Sequence, residues 1–186
     1  LITMQKNTGV EEIILSCKTF NDAESFLSAG NQPTTFMISA ENVSGVKVSG
    51  VKLENTPNGI LFSGVSDGRI SDVTGSSLFE NILLKNCGNV LTAFCRFTTD
   101  NFSYGGYTEY AKQHGRAIEV SGGKAVLMQN SSDGQNVGIN LTSTATEAAD
   151  SVKIAAIGNC LVNNGISVNV SNTENTMFLS TISAPS

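Results

Sequence analysis

Val51 and Leu53 are apolar residues two apart, and Asn55, a polar turn through Pro57, Asn58 and Gly59, and a fresh apolar run at Ile60 follow them. The same order recurs as Ile82, Leu84 and Asn86 ahead of Val90 and Leu91. It appears again as Val126, Met128 and Asn130 ahead of Val137, and as Cys160, Val162 and Asn164 ahead of Ile166 and Val168. Alternation with a period of two marks a half-buried strand. The Asn-to-Asn intervals are 31, 44 and 34 residues, the size of a solenoid repeat. One such strand cannot bury its apolar side alone, whereas copies stacked ~4.8 Å apart form parallel sheets around a shared interior. The pattern predicts an all-β solenoid, a single-stranded parallel β-helix filling residues 1–186 as one domain. Val51, Ile82, Val126 and Cys160 would form one interior column, and Leu53, Leu84, Met128 and Val162 a second. Asn55, Asn86, Asn130 and Asn164 would form a structural ladder at the corner, where Asn tolerates left-handed backbone angles and its amide can bond the neighbouring rungs.

Two departures from this rhythm stand out. Near the start, residues 19–30 predict a short capping helix: Asn21 caps it, Glu24 completes a capping box and Gly30 stops it. Phe26 and Leu27 give it an apolar side that would cover the open end of the coil, whose bare backbone edge otherwise invites another strand. The second departure is the 44-residue interval, whose excess maps to a loop insert at 97–116, with one or two helical turns expected from Thr108 to His114 and Gly115 as the stop. A smaller polar excursion is expected at 143–150.

Composition agrees with strand and turn: the chain has 18 Gly, no Trp, and apolar residues dominated by Val, Ile and Leu. Eleven basic residues against sixteen acidic ones give a net charge of −5 without a Lys/Arg cluster, which argues against a nucleic-acid partner. No apolar run approaches the ~20 residues needed to cross a bilayer, so membrane insertion is not expected. The opening Leu1-Ile2-Thr3, without an initiator Met, predicts a piece of a longer chain. Cys17, Cys87, Cys95 and Cys160 lack any spacing that suits a metal, and no cofactor or metal is expected. They read as free thiols acting as small apolar groups.

The run from Asn42 to Asn55, leading into Asn58-Gly59-Ile60, resembles the rung pattern of the pectate-lyase-like right-handed β-helices. The capped helix ahead of it is similar to that superfamily's lead-in. The superfamily includes pectin-degrading enzymes, phage tailspike depolymerases and catalytically silent adhesins, and the resemblance is strongest to the tailspike group. It implies a right-handed coil, a bacterial surface polysaccharide as partner, a homo-oligomer, typically a trimer, and a place outside the cell or on a virion surface. It grants no activity, because function lives in sites grafted on folds.

Candidate chemistry concentrates in the insert, since a rigid scaffold carries function on its loops. The insert holds Tyr104, Tyr107, Tyr110, Phe97, Phe102, the only histidine, His114, and the acids Asp100 and Glu109. Ring faces stack on the apolar face of a sugar and carboxylates bond its hydroxyls, so Tyr104, Tyr107, Tyr110 and His114 are the candidate substrate contacts. A hydrolase needs two carboxyls about 5 Å or 6.5–9.5 Å apart, and Asp100 and Glu109 are the candidate catalytic pair. A lyase would instead take Tyr110 or His114 as base, with Lys112 or Arg116 steadying the developing charge. The competing readings are structural. The tyrosines would pack the insert onto the coil, His114 would cap a helix, and the whole would be a non-enzymatic stalk or adhesin. Elsewhere, Glu54 and Lys85 are expected as an exposed pair on adjacent rungs, and Asp72 with Glu80 as a second acidic pair on an exposed face.

Overall fold

The computed structural model describes residues 1–17, 32–102, 105–142, 153–171, 176–179 and 182–184. The capping helix expected at 19–30 and the excursion expected at 143–150 lie outside the described residues. Short strands fall in turn onto three parallel ladders. The first contains β1 (Ile2–Thr3), β4 (Phe36–Glu41), β7 (Asn58–Ser63), the leading halves of β10 (Glu80–Ala93) and β12 (Arg116–Met128), β14 (Val137–Thr142) and β17 (Ile166–Ser171). The second contains β2 (Gly9–Glu11), β5 (Lys47–Ser49), β8 (Gly68–Ser71), the trailing halves of β10 and β12, β15 (Lys153–Ile157) and β18 (Thr176–Leu179). The third contains β3 (Ile14–Ser16), β6 (Lys52–Thr56), β9 (Thr74–Ser77), β11 (Arg96–Thr98), β13 (Ser131–Asp133), β16 (Cys160–Val162) and β19 (Ile182–Ala184). Because β10 and β12 run unbroken through the bend, the first two ladders belong to one sheet and the third forms another.

Alternation decides which side chains fill the interior. On the first ladder Ile2, Ile38, Ile60, Ile82, Ile118, Ile139 and Val168 stand in register, and two residues further along Ala40, Phe62, Leu84, Val120 and Leu141 do the same. Val48, Ile70, Thr92, Leu127 and Ala156 line the second ladder. On the third, Leu53, Gly75, Phe97, Ser132 and Leu161 alternate large with small, so the Phe97 ring sits between two rungs that leave it room. These columns form one continuous apolar core.

The corners follow from backbone sterics. Asn42, Gly64, Asn86 and Gly122 follow register-matched residues of the first ladder, and all four have positive φ, between 51° and 76°. Gly alternates with Asn because a Cβ on Gly64 would lie 2.3 Å from Asn42 Oδ1, and one on Gly122 would lie 2.2 Å from Asn86 Oδ1.

The register corrects the expected columns. Ile38, Ile60 and Ile82 are 22 residues apart, so a turn of the coil is 22 residues and three strands. The next step, Ile82 to Ile118, takes 36, and the excess is the insert; Ile139 to Val168 takes 29. Val51 and Leu53 belong with the third ladder, Ile82 and Leu84 are on the first, Val126 and Met128 on the second, and Cys160 and Val162 on the third. Val126 and Cys160 accordingly face out and are exposed. Inward and outward alternate identically on all three ladders, so the two-apart pattern cannot tell one from another. Asn55 and Asn86 are left-handed as expected but occupy different corners. An Asn ladder exists with another membership: Asn130 N and Nδ2 both donate to Asn159 Oδ1 at 3.0 Å, and Asn159 Nδ2 donates to Leu127 O at 2.9 Å. Asn164 instead accepts from Ser132 Oγ and Gln135 N. Glu54 pairs with Lys52 at 2.7 Å, while Lys85 sits in the other sheet.

Candidate functional site

The long turn leaves β11 through a 3-10 turn, Thr99–Asn101, where Thr98 Oγ1 accepts from Asp100 N at 3.2 Å. It then forms helix α1 (Gly105–His114) and rejoins the coil at Arg116. The helix starts three residues before the expected Thr108, whose Oγ1 donates to Thr99 O at 3.2 Å and ties the two turns together. At its far end Gly115 N and Asn136 N both donate to Ala111 O, which fastens the helix to the following rung.

Helical periodicity sorts this insert into two faces. Tyr107, Tyr110 and Ala111 are buried; both tyrosines are 7% exposed and pack in a cluster with Leu78, Phe79 and Phe102, separate from the main core. Phe102 meets Tyr107 edge-on with centroids 6.1 Å apart. Burial raises the titration of both phenols. The Tyr110 and His114 rings are 4.6 Å apart, with His114 itself exposed. Asp100 and Glu109 are exposed, and Glu109 lies 3.7 Å from Lys112. Tyr104 falls outside the described residues. The turn therefore brings Tyr107, Tyr110 and His114 together and leaves the two expected acids on the solvent side.

A second cluster, beside the insert, was not assembled by sequence reasoning. Glu80 opens β10 and Arg116 opens β12, and the two are register partners. Arg116 Nη1 donates to Glu80 Oε1 at 2.7 Å and to Glu119 Oε2 at 2.5 Å, and its guanidinium lies 4.9 Å over the Phe79 ring. Glu119, Asn140 and Asn169 are register partners on three successive rungs and hydrogen bond in a row: Asn140 Nδ2 donates to Glu119 Oε2 at 2.9 Å, and Asn169 Nδ2 to Asn140 Oδ1 at 2.7 Å. This row lies on the outer side of the first ladder, since its neighbours in sequence form the interior columns. Glu80 is 3% exposed, and Oε2 has no hydrogen-bond partner among the described residues. Burial, and secondarily the Glu119 carboxylate, push Glu80 up to about 8 against the pull of Arg116. Burial thus favours the neutral form of the Glu80 carboxyl.

The expected exposed pair of Asp72 with Glu80 is thereby corrected. Asp72 is an exposed, left-handed corner residue, and Glu80 is buried with a different acid. Glu80 and Glu119 are 3% and 9% exposed and both are held by Arg116 Nη1, so a glycosidic bond has no access to them as a hydrolytic pair. What the cluster provides is the partly exposed edge of Arg116 and, two rungs on, the partly exposed amide of Asn169, with Glu119 and Asn140 buried between them. Residues three apart on a strand point to opposite faces, so the Arg116-Glu119 spacing gave no signal, and locating Glu80, 36 residues earlier, beside them needs the length of the insert.

Stacked parallel ladders entered in rotation define a parallel β-helix. Among solved structures the chain is similar to the periplasmic alginate epimerase AlgG, with a TM-score of 0.55 at 11% identity. The match covers 96% of this chain and 44% of that one, so the chain spans less than half of the protein it resembles. No family model matches the chain, and no curated protein does.

Proposed function

We propose that the chain is a right-handed β-helical domain of an extracellular or virion-surface protein, tailspike-like in design, that binds a bacterial polysaccharide along the outer side of the first ladder. The observation that carries this reading is the pair of partly exposed groups, Arg116 beside the insert and Asn169 two rungs on, held in place by the hydrogen-bonded row through Glu119 and Asn140. Asn140 is 4% and Glu119 9% exposed, so the row serves as a rigid support, and a linear polymer lying along the coil axis would reach Arg116 and Asn169 at its two ends. The exposed rim of the insert, with Asp100, Glu109 and His114, would complete the contact, and Asp100 with Glu109 remains the pair on which depolymerisation would rest. A solved β-helix of similar course belongs to an alginate epimerase, which supports a saccharide context.

The alternative, a non-enzymatic stalk or adhesin, is favoured by one observation: Tyr107 and Tyr110 spend their rings on seating the insert. Incubating the chain with a panel of capsular and O-antigen polysaccharides, while measuring both retention and chain shortening, separates the readings. Binding that weakens in Asn169→Ala and Arg116→Lys without shortening supports a binding domain. Shortening abolished by Asp100→Asn and Glu109→Gln establishes the enzyme. Absence of both retention and shortening across the panel sinks the saccharide reading and leaves the stalk.

A further inference from the structure

One corner of the coil carries a residue that its backbone does not favour. Between the second and third ladders each turn passes through a left-handed residue: Glu12, Gly50, Asp72, Phe94, Gln129 and Gly158 follow register-matched positions with φ between 52° and 64°. Their N–H groups continue the ladder, Asp72 N donating to Ala93 O at 3.2 Å and Phe94 N to Met128 O at 3.1 Å. Left-handed backbone crowds Cβ against the following carbonyl, which Gly escapes and short polar side chains offset by local hydrogen bonds. Among the described residues ten non-glycine residues have positive φ; nine are Asn, Asp, Glu or Gln, and the tenth is Phe94. Burial does not compensate for the strain, because Phe94 is 40% exposed while its chain neighbours Ala93 and Cys95 are fully buried. A bulky side chain at positive φ is an outlier that the fold alone does not select, and such strain gathers where ligands are held.

The surroundings of the ring select the ligand. Asp72 and Gln129, both exposed, flank it on the adjoining rungs, ~4.8 Å to either side. On the third-ladder side Thr74, Arg96 and Ser131 stand in register and add two hydroxyls and a guanidinium. A single ring bordered by polar groups is too small to be the apolar centre of a protein interface. It has the make-up of a saccharide contact: the ring stacks on the C–H face of a pyranose, and the carboxylate, amide, hydroxyls and guanidinium around it bond the sugar's hydroxyls. One acid and one base balance in charge, so the unit selected is neutral. We propose that Phe94, with Asp72 and Gln129 beside it, is a stacking platform for a neutral pyranose, a second saccharide site at the corner between the second and third ladders. It stands on this geometry and does not rest on the first-ladder reading.

Saturation-transfer NMR with short neutral gluco-, galacto- and mannooligosaccharides tests it. At least one is expected to bind, with Phe94→Asn weakening that binding by about tenfold and Phe94→Trp keeping it. Urea unfolding separates a ring that serves a ligand from one that serves the fold. The Phe94→Asn midpoint is expected to be no lower than that of the unmodified chain, since Asn suits a left-handed corner. The effect of Phe94→Asn on binding should be the same in a chain that also carries Arg116→Lys and Asn169→Ala. No binding across the panel, binding indifferent to Phe94→Asn, or a lowered midpoint would overturn the proposal. Binding that Arg116→Lys with Asn169→Ala removes and Phe94→Asn spares would put the sugar on the first ladder, which ends the platform and leaves the first reading standing.

Discussion

Glu80 is the residue whose environment departs furthest from what a surface carboxylate prefers. It is held in the folded chain with an affinity for its proton set near pH 8, against 4.5 for the ordinary group. The folded state thus binds the proton more tightly than the unfolded state. Its contribution to stability is fully present below about 4.5 and is lost as the pH rises through about 8. Glu80→Gln, which keeps the shape and removes the titration, is expected to flatten the decline in stability across that window. Urea unfolding at a series of pH values reads this directly; an unchanged slope of stability against pH would show that Glu80 is not the group responsible. At the same scale, Cys95 is inert by construction, since burial pushes its thiol up to about 12, whereas Cys160 is exposed and did not take the interior place that its spacing from Val162 suggested.

At the scale of elements, the insert behaves as a small body with its own core. Its hold on the coil comes from Tyr107, Tyr110 and Phe102 against Leu78 and Phe79, together with the fastening at Ala111. Removing a buried aromatic ring costs about 3–5 kcal/mol, and Tyr110→Ala should spend that loss locally by lifting α1. Trypsin cleavage after the exposed Lys112 is expected to accelerate strongly while the far-ultraviolet strand signal stays intact. Equal cleavage rates in the two proteins would show that the rings are not what seats the helix. How far these elements were legible differs by kind. The extra length ahead of Arg116 could be read because it breaks the rhythm, and Asn55 and Asn86 because left-handed corners select Asn. The rung length could not. Val51 with Leu53 and Ile82 with Leu84 look alike, yet one pair belongs with the third ladder and the other with the first. The same blindness hid the site: with the turn taken as 31 to 44 residues rather than 22, nothing aligned Glu80 with Arg116.

For the whole molecule, a stack in which each turn touches only its neighbours has a stability close to a sum of turn and interface contributions, and it opens from its ends. The longest pairing lies between β10 and β12, which runs from Glu80↔Arg116 to Ala93↔Met128 across two faces of the coil with one register shift at the bend, between Cys87 and Val90. Hydrogen exchange should therefore rank the amides of these two strands slowest and those of β1, β2 and β18 fastest. Uniform protection along the chain would contradict a nearest-neighbour stack. The two strands that turn the bend without a break act as a clasp at mid-length. Damage entering from either terminus must halt there, so the acidic cluster and the insert, both mounted on that clasp, would keep their shape after the outer turns had frayed away.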